Sequence, residues 1–300
     1  MKFEEEIRQR AGNINTIIEK YLPEEKGYQK TVLQAMNYAV NGGGKRIRPM
    51  LMAECAQLFG GARAEILEPY MAAIEMIHTY SLIHDDLPAL DDDDYRRGRK
   101  TTHIVYGEAM GILAGDGLLN YAYEVATFAF SHATGEEMPK TIEAMKILAH
   151  KPGIYGMIGG QTVDVEKTGQ SLKKDELEYI YQNKTGAMIE AAMMIGAVLA
   201  GADADQEERI EQAAADIGMA FQIQDDILDV VGNPQELGKP VGSDEKNHKT
   251  TYVTFKGLEQ SKADVKELSM EAIEILEEFE LSLKNPFLKE LILWMMQRNK

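Results

Sequence analysis

Two acidic clusters carry most of the chemistry in this sequence. The segment HDDLPALDDDDYRRGRK, from His84 to Lys100, sets Asp85, Asp86 and Asp91 to Asp94 ahead of Arg96, Arg97, Arg99 and Lys100. A charged run of this kind is ordinarily a solvated loop, but two features argue against that. The preceding helix should end near Leu87, because Pro88 disfavours its continuation, so Asp85 and Asp86 fall in its last turn. Carboxylates there oppose the helix dipole at roughly 0.3–1 kcal/mol each, and the neighbouring aspartates also repel one another. Cations offset both penalties. Hard divalent ions such as Mg2+ take oxygen ligands and share them with substrate phosphates. The second cluster, FQIQDDILD, runs from Phe221 to Asp229. Asp225 and Asp229 lie four apart on one helix face, with Gln222 three residues earlier on the same face. Phe221, Ile223, Ile227 and Leu228 surround them, which is no ordinary polar exterior. One such cluster is a weak signal; two, each on a helix in an apolar setting, are a strong one.

Basic elements accompany them. NGGGKRIRP, Asn41 to Pro49, places three glycines before Lys45, Arg46 and Arg48. Glycines let backbone approach an anion, and Lys and Arg supply charge and forked donors. Alone this would be a flexible basic turn, and it lacks the full GxxxxGK[ST] pattern of a nucleotide triphosphatase. Lys184 and Thr185 in NKTG, Lys239 in LGKPVGSD and Lys249 in NHKTTY are each weak singly. His78 stands seven residues before Asp85, on the same helix face two turns earlier. No HExxH occurs, and the 17 methionines read as packing material. Two aspartate clusters facing each other, with Lys and Arg nearby, would hold a magnesium-bound polyphosphate. A second anion would sit at 45–48, and apolar helices would enclose a hydrocarbon. This suits ionisation of an allylic diphosphate, with metals and cations stabilising the departing diphosphate while an alkene attacks the allylic cation.

The elements that must position these residues are helices. Ala220, Ile223, Ile227 and Val230 form one apolar face within 206–231, and Met71, Ile74, Ile77 and Leu82 do the same within 68–87. Segments 139–150, 174–199 and 262–284 also read as helices. No strand alternation is visible, and Gly and Pro fall mostly between the helical segments. The expected fold is a single all-α domain spanning 1–300. The 300 residues carry 32 Lys+Arg and 49 Asp+Glu, a formal charge of −17 that argues against a general nucleic-acid binder. Cys55 is the only cysteine, which excludes an intrachain disulfide and a cysteine zinc cluster and fits a reducing compartment. The N-terminus MKFEEEIRQR lacks the apolar run of a signal peptide. The uncharged stretch Ala191–Ala202 is far short of the about 20 residues a membrane span needs. A cytoplasmic protein is expected.

Taken together, the residues resemble the trans-isoprenyl diphosphate synthase (polyprenyl synthetase) family, most closely its bacterial farnesyl diphosphate-forming members. The resemblance covers nearly the whole chain. It rests on GGKRIRP at 43–49, DDLPALD at 85–91 with RRG at 96–98, GEAMGILAGDGLL at 107–119 and GMIGGQTVD at 156–164. It continues through KTG at 184–186, FQIQDDILD at 221–229 and GKPVGSD at 238–244. It implies an isoprenoid-synthase helical bundle around a deep central cavity, usually a homodimer, without nucleic-acid partners or stable membrane insertion. Asp85 and Asp91 would ligate Mg2+ with Asp86 assisting, and Asp225 would do so with Asp229 assisting. The family pattern implies three ions per substrate-loaded site, with Mn2+ able to substitute. Arg96, Lys184, Thr185, Gln222 and Lys239 would hold the allylic diphosphate; Lys45, Arg48, His78 and Arg97 would hold isopentenyl diphosphate. The reaction implied is head-to-tail condensation of isopentenyl diphosphate with dimethylallyl and geranyl diphosphate, the released diphosphate acting as base. Elements after Asp229, ending in Arg298 and Lys300, would close over the site and exclude water. Tyr181 and Gln182 depart from the pattern, standing where a histidine is common, and the loop from Lys246 to His248 is unusual.

Tyr80 lies five residues before Asp85, about 7–8 Å deeper along the helix at 1.5 Å per residue. A ring there, beside the small Ser81, would act as a floor that stops elongation at fifteen carbons. The main competitor is a geranylgeranyl diphosphate synthase of the same family. A class I terpene cyclase has one diphosphate to bind and usually a second metal motif of mixed Asn, Ser/Thr and Glu, unlike the aspartates here. A catalytically silent helical subunit has no reason to keep Asp85, Asp91, Asp225, Lys184 and Arg96 together.

Overall fold

The structure is a computed structural model that describes residues 2–231, 250–279 and 286–297. Lys239, Lys246, His248, Lys249, Arg298 and Lys300 lie outside the described residues. The chain is all-α. In order it forms α1 (Lys2–Lys20), α2 (Lys30–Val40), α3 (Ile47–Leu58) and α4 (Ala64–Asp85), then a two-residue antiparallel ribbon, β1 (Tyr95–Arg96) and β2 (Arg99–Lys100). There follow α5 (Thr102–Tyr106), α6 (Glu108–His132), α7 (Met138–His150), α8 (Met157–Glu166) and α9 (Lys174–Ile180). A π-helical turn (Tyr181–Gly186) leads directly into α10 (Ala187–Ala200) and then α11 (Ala204–Val231). The last described elements are α12 (Tyr252–Lys256), α13 (Leu258–Glu277) and α14 (Pro286–Gln297). No helix among the described residues is long and apolar enough to cross a membrane.

The chain divides into two compact units, Met1–Ala53 with Ala62–Met145, and Glu54–Gly61 with Lys146–Lys300. In the first, α4 is buried almost all round, as its apolar composition requires of a core helix. Helix α6 lies against it closely: a Cβ at Gly115 would stand 2.1 Å from His84 Nε2, so a larger residue there would have to displace the imidazole. Helix α1 is amphipathic and buries Ile7, Ala11, Ile14 and Ile18 at helical spacing. In the second unit, α10 is the apolar core element, with Ala191, Ala192, Ile195 and Leu199 buried, and α11 packs on α13.

The helices expected at 139–150 and 206–231 are α7 and α11. Three expectations differ in detail. Helix α4 ends at Asp85, two residues before Leu87, because the Leu87 N–H donates to His84 O at 3.1 Å and tightens the last turn. The segment expected as one helix over 174–199 is interrupted by the π-helical turn. Between 95 and 100 the chain forms a hairpin, with Tyr95 opposite Lys100 and Arg96 opposite Arg99. Its two central residues, Arg97 (φ 53°) and Gly98 (φ 75°), both have positive φ, the geometry a two-residue hairpin requires.

Candidate active site

In the first unit the chain brings Asp85, Asp86 and Asp91 together at the end of α4. The Asp91 N–H donates to Asp85 O at 2.9 Å, folding the proline-containing stretch back onto the helix end. Asp91 is exposed and Asp85 partly buried. Asp86 is buried, and one of its oxygens, Oδ1, accepts from Arg96 Nε at 2.7 Å and lies 2.6 Å from a terminal nitrogen of the same guanidinium. Burial pushes the Asp86 carboxyl above its ordinary range, although Arg96 opposes that shift. Tyr80, one turn deeper, is buried and meets the His84 ring edge to face at 5.7 Å. Ser81 donates to His78 O at 2.9 Å.

The basic residues of the same unit surround His78. Burial and then the cations Arg48, Arg97, Arg46 and Arg96 hold its imidazole well below the usual histidine range, so it is neutral at pH 7. Burial and Arg97 likewise lower Arg48, against the pull of Glu75, and Arg48 Nε is buried with no hydrogen-bond partner. Arg97 donates to Gly43 O, tying the arginine hairpin to the glycine turn. Lys45 is exposed on that turn. A neutral imidazole among guanidiniums, one with a buried N–H left over, is a pocket whose electrostatics favour an anion. Among the described residues, the non-glycine positions with positive φ are Arg46, Asp92 and Arg97, all in these two loops. Backbone strain of this kind concentrates where structure is held for function. An open cleft of about 430 Å³ beside the hairpin is lined by Thr79, Asp86, Arg96, Arg97, Arg99 and Lys100.

Arg46 is not part of the anion pocket's donor set. It is buried and satisfied by Glu75 at 2.7 Å, Asn15 at 2.8 Å and Val40 O at 2.7 Å, and so serves to fix the basic turn.

The second unit carries the other predicted residues. Asp225 is exposed on α11, Gln222 partly buried and Asp229 buried. Lys184 and Thr185, both partly buried, lie within the π-helical turn, a distortion that is rare and frequent at functional sites. Lys184 Nζ donates to Asp164 Oδ2 at 2.6 Å. Asp226, between the two predicted ligands, is buried and accepts from Tyr181 Oη at 2.5 Å and from the Tyr252 N–H at 2.7 Å. Glu75, Asp164, Asp226 and Tyr181 were given no role by sequence reasoning. Asp164 closes the GMIGGQTVD stretch and Asp226 sits inside the second acidic cluster, so both signals were present without an assigned partner.

Hard oxygen donors are the right chemistry for Mg2+. Among the described residues no three acidic, histidine or cysteine side chains are grouped to enclose an ion by themselves. Mg2+ keeps several waters and is bound through one or two carboxylates alongside substrate phosphates.

Comparison with known proteins identifies the family. The profile of the family described as polyprenyl synthetase matches residues 29–285. A farnesyl diphosphate synthase of Geobacillus stearothermophilus is 44% identical over 264 residues, 87% of each chain. A geranylgeranyl diphosphate synthase of Cyanophora paradoxa is 41% identical over 256 residues, 85% of this chain and 83% of its own. Among solved structures, an FPP/GFPP synthase from Zymomonas mobilis superposes with a TM-score of 0.85 at 30% identity, covering 98% of this chain and 99% of its own. The chain belongs to the polyprenyl synthetase family.

Proposed function

We propose that this protein is a trans-prenyltransferase that condenses isopentenyl diphosphate with dimethylallyl and then geranyl diphosphate to give farnesyl diphosphate. The observation that carries the reading is the buried, unsatisfied Arg48 Nε and the Arg97 guanidinium tied to Gly43 O, basic groups that act on His78, on the helix that ends in Asp85 about 10 Å further along at 1.5 Å per residue. An anion pocket and a carboxylate cluster on one rigid helix can hold a non-allylic diphosphate at a fixed distance from the metal-bound leaving group.

Lys45, Arg48, His78 and Arg97 bind the diphosphate of isopentenyl diphosphate, His78 as a neutral donor. Lys184, Thr185, Gln222, Arg96 and Lys239 bind the allylic diphosphate. Asp85, Asp91 and Asp225 are the magnesium ligands, with Asp86 and Asp229 assisting. Magnesium dependence is general to the family. When bound, the ions neutralise charge growing on the departing diphosphate. The C1–O bond of the allylic substrate breaks, the alkene of isopentenyl diphosphate bonds to C1, and a proton leaves C2 of the isopentenyl unit to a diphosphate oxygen. The chain's own residues bind and orient both substrates and keep water from the cation. The active species is a cytoplasmic homodimer of a single polyprenyl synthetase domain.

The test is incubation of the purified protein with Mg2+, isopentenyl diphosphate and dimethylallyl, geranyl or farnesyl diphosphate in turn, with chromatography of the dephosphorylated products. A fifteen-carbon product from geranyl diphosphate is expected, and none without isopentenyl diphosphate. Product formation from an allylic substrate alone would identify a cyclase instead.

A further inference from the structure

The Asp226 carboxylate and the Tyr181 hydroxyl form a tie inside the second unit whose ends bear on three elements. Tyr181 is the first residue of the π-helical turn, and its Oη donates to Asp226 Oδ2 at 2.5 Å. Asp226 lies on α11 between Asp225 and Asp229. The same Oδ2 accepts from the backbone N–H of Tyr252, the first residue of α12, at 2.7 Å. Tyr181 is 5% exposed and Asp226 8%, so neither group exchanges its partner for water at low cost.

The turn that carries Lys184 and Thr185 is also held by close packing of its backbone. A Cβ on Gly160 of α8 would come within 2.2 Å of Lys184 N, and one on Gly218 of α11 within 2.7 Å of Gly186 Cα. Glycines at these crossings let two helices touch the turn's backbone, but they supply no directional bond. A π-helical turn is a rare single-turn departure from the α-helical ladder on either side of it. The register of Lys184 and Thr185 along it therefore needs an external anchor. Lys184 itself bonds to Asp164 at 2.6 Å, a contact a diphosphate would compete for. The Tyr181–Asp226 bond is directional, buried and charge-assisted, and joins the turn to the helix that carries Asp225.

We infer that Asp226 and Tyr181 are positioning residues for the allylic diphosphate: the tie fixes the turn bearing Lys184 and Thr185 against the helix bearing Asp225, and Asp226 is not itself a magnesium ligand. This rests on the proposed roles of Lys184 and Thr185. It also assigns a task to the tyrosine that departs from the family pattern.

Tyr181→Phe removes the hydroxyl and keeps the ring. It should raise the KM for geranyl diphosphate about threefold to thirtyfold, the range expected from losing part of a charge-assisted hydrogen bond. The KM for isopentenyl diphosphate should stay near wild type, with both proteins assayed at a temperature where the variant, destabilised by the lost buried hydrogen bond, remains folded. Asp226→Asn can keep an amide oxygen at the position that accepts from both the Tyr181 hydroxyl and the Tyr252 N–H, so it should recover most of what Asp226→Ala loses. The Mg2+ concentration for half-maximal rate should not move in Asp226→Asn, whereas it should rise in Asp225→Asn. Unchanged allylic KM in Tyr181→Phe, or a Mg2+ requirement shifted as far in Asp226→Asn as in Asp225→Asn, would overturn the inference. Lys184→Ala is the control for the underlying reading. If it raises the allylic KM while Tyr181→Phe does not, only the tie is wrong. If Lys184→Ala leaves that KM unchanged, the assignment of the turn falls and the tie with it.

Discussion

One oxygen of Asp86, Oδ1, takes both a 2.7 Å hydrogen bond from Arg96 Nε and a 2.6 Å contact from a terminal nitrogen of the same guanidinium. The two residues at the end of α4 therefore do different things. Asp86 is buried and already neutralised by an arginine, and burial raises its carboxyl nonetheless. Asp85 shares the helix end, and its carbonyl holds the returning chain at Asp91. Asp86 thus serves first to set the arginine hairpin on the helix, whatever it adds to metal binding.

Removing one partner of this pair should cost stability. Breaking fully buried ion pairs costs about 3–5 kcal/mol, and with Arg96 32% exposed a loss of about 1–2 kcal/mol is expected for Arg96→Ala. Asp86→Asn introduced into that variant should restore much of it, since the uncompensated buried charge is then gone. Urea denaturation of the single and double variants measures the coupling. Additive losses would show that the pair contributes nothing of its own.

The two anion sites should separate kinetically. Lys45→Ala or Arg48→Ala should mainly raise the KM for isopentenyl diphosphate, and Lys184→Ala mainly that for the allylic substrate. A charge-assisted contact is worth roughly 1.5–3 kcal/mol, or about ten- to a hundredfold. The expected order is reversed if the patches have been assigned the wrong way round, which steady-state kinetics with each substrate varied in turn would reveal.

Chelation of divalent metal should abolish turnover, and Mg2+ should restore it. Asp85→Ala and Asp225→Ala should each lower kcat by orders of magnitude while the helical circular-dichroism signal survives. Near-normal activity in either variant would remove that residue from the metal-binding set.

How far the site could be read from sequence depended on whether chemistry or geometry set the answer. The spacing of His78 and Asp85 by seven residues needs only helical periodicity to put both on one face, and α4 is a helix over that whole stretch. Asp225 and Asp229 are placed by the same rule on α11. The π-helical turn was not legible, because one residue inserted into a helix leaves its composition unchanged. Nor was the split between Asp85 and Asp86. Two adjacent aspartates look alike in sequence, and only the hairpin turn through Arg97 and Gly98 aims Arg96 at the second of them. Arg46 and Arg48 were separable in role only once Arg46 was seen satisfied by Glu75, Asn15 and Val40.

Asp216 on α11 should make stability fall as pH rises through the weakly acidic range. Burial, reinforced by Glu271 and opposed by a hydrogen bond from Gln212, pushes its carboxyl up to about 6. An unfolded aspartate titrates near 3.9, so between about pH 4 and 6 the folded state holds a proton that the unfolded state has lost. Unfolding free energy then decreases with pH across that window, by about 3 kcal/mol in all, and is flat in this contribution above it. Asp216→Asn cannot ionise and should be more stable than wild type at pH 7, the two converging near pH 4. Denaturant melts at several pH values test this; parallel curves for the two proteins would show that Asp216 is not the group responsible.

Tyr80 should set product length. It is buried on α4, five residues before Asp85, with its ring against His84 at 5.7 Å. Burial and then the neighbouring Tyr123 and Asp85 push its hydroxyl up to about 12, so the ring is un-ionised and stands in a weakly polar setting between two helices. The hydrocarbon of an allylic substrate bound at the aspartates must run away from them, and the apolar path along α4 leads past this ring about 7–8 Å deeper. With Tyr80 as the floor, a ten-carbon tail would stop short of the ring and a fifteen-carbon tail would not fit back as substrate, ending elongation there. Ser81 leaves space beside the ring, its hydroxyl being engaged with His78 O. Tyr80→Ala should therefore shift products to twenty carbons and beyond, and Ser81→Phe should shorten them to ten. An aromatic-to-alanine change in a packed core also costs about 3–5 kcal/mol, so both variants should be compared at a temperature where each is folded. A shift in chain length at unchanged KM for isopentenyl diphosphate separates a floor from a general loss of packing. Unchanged products in Tyr80→Ala, or a wild-type enzyme making mostly twenty-carbon product, would place the floor elsewhere and favour the geranylgeranyl alternative.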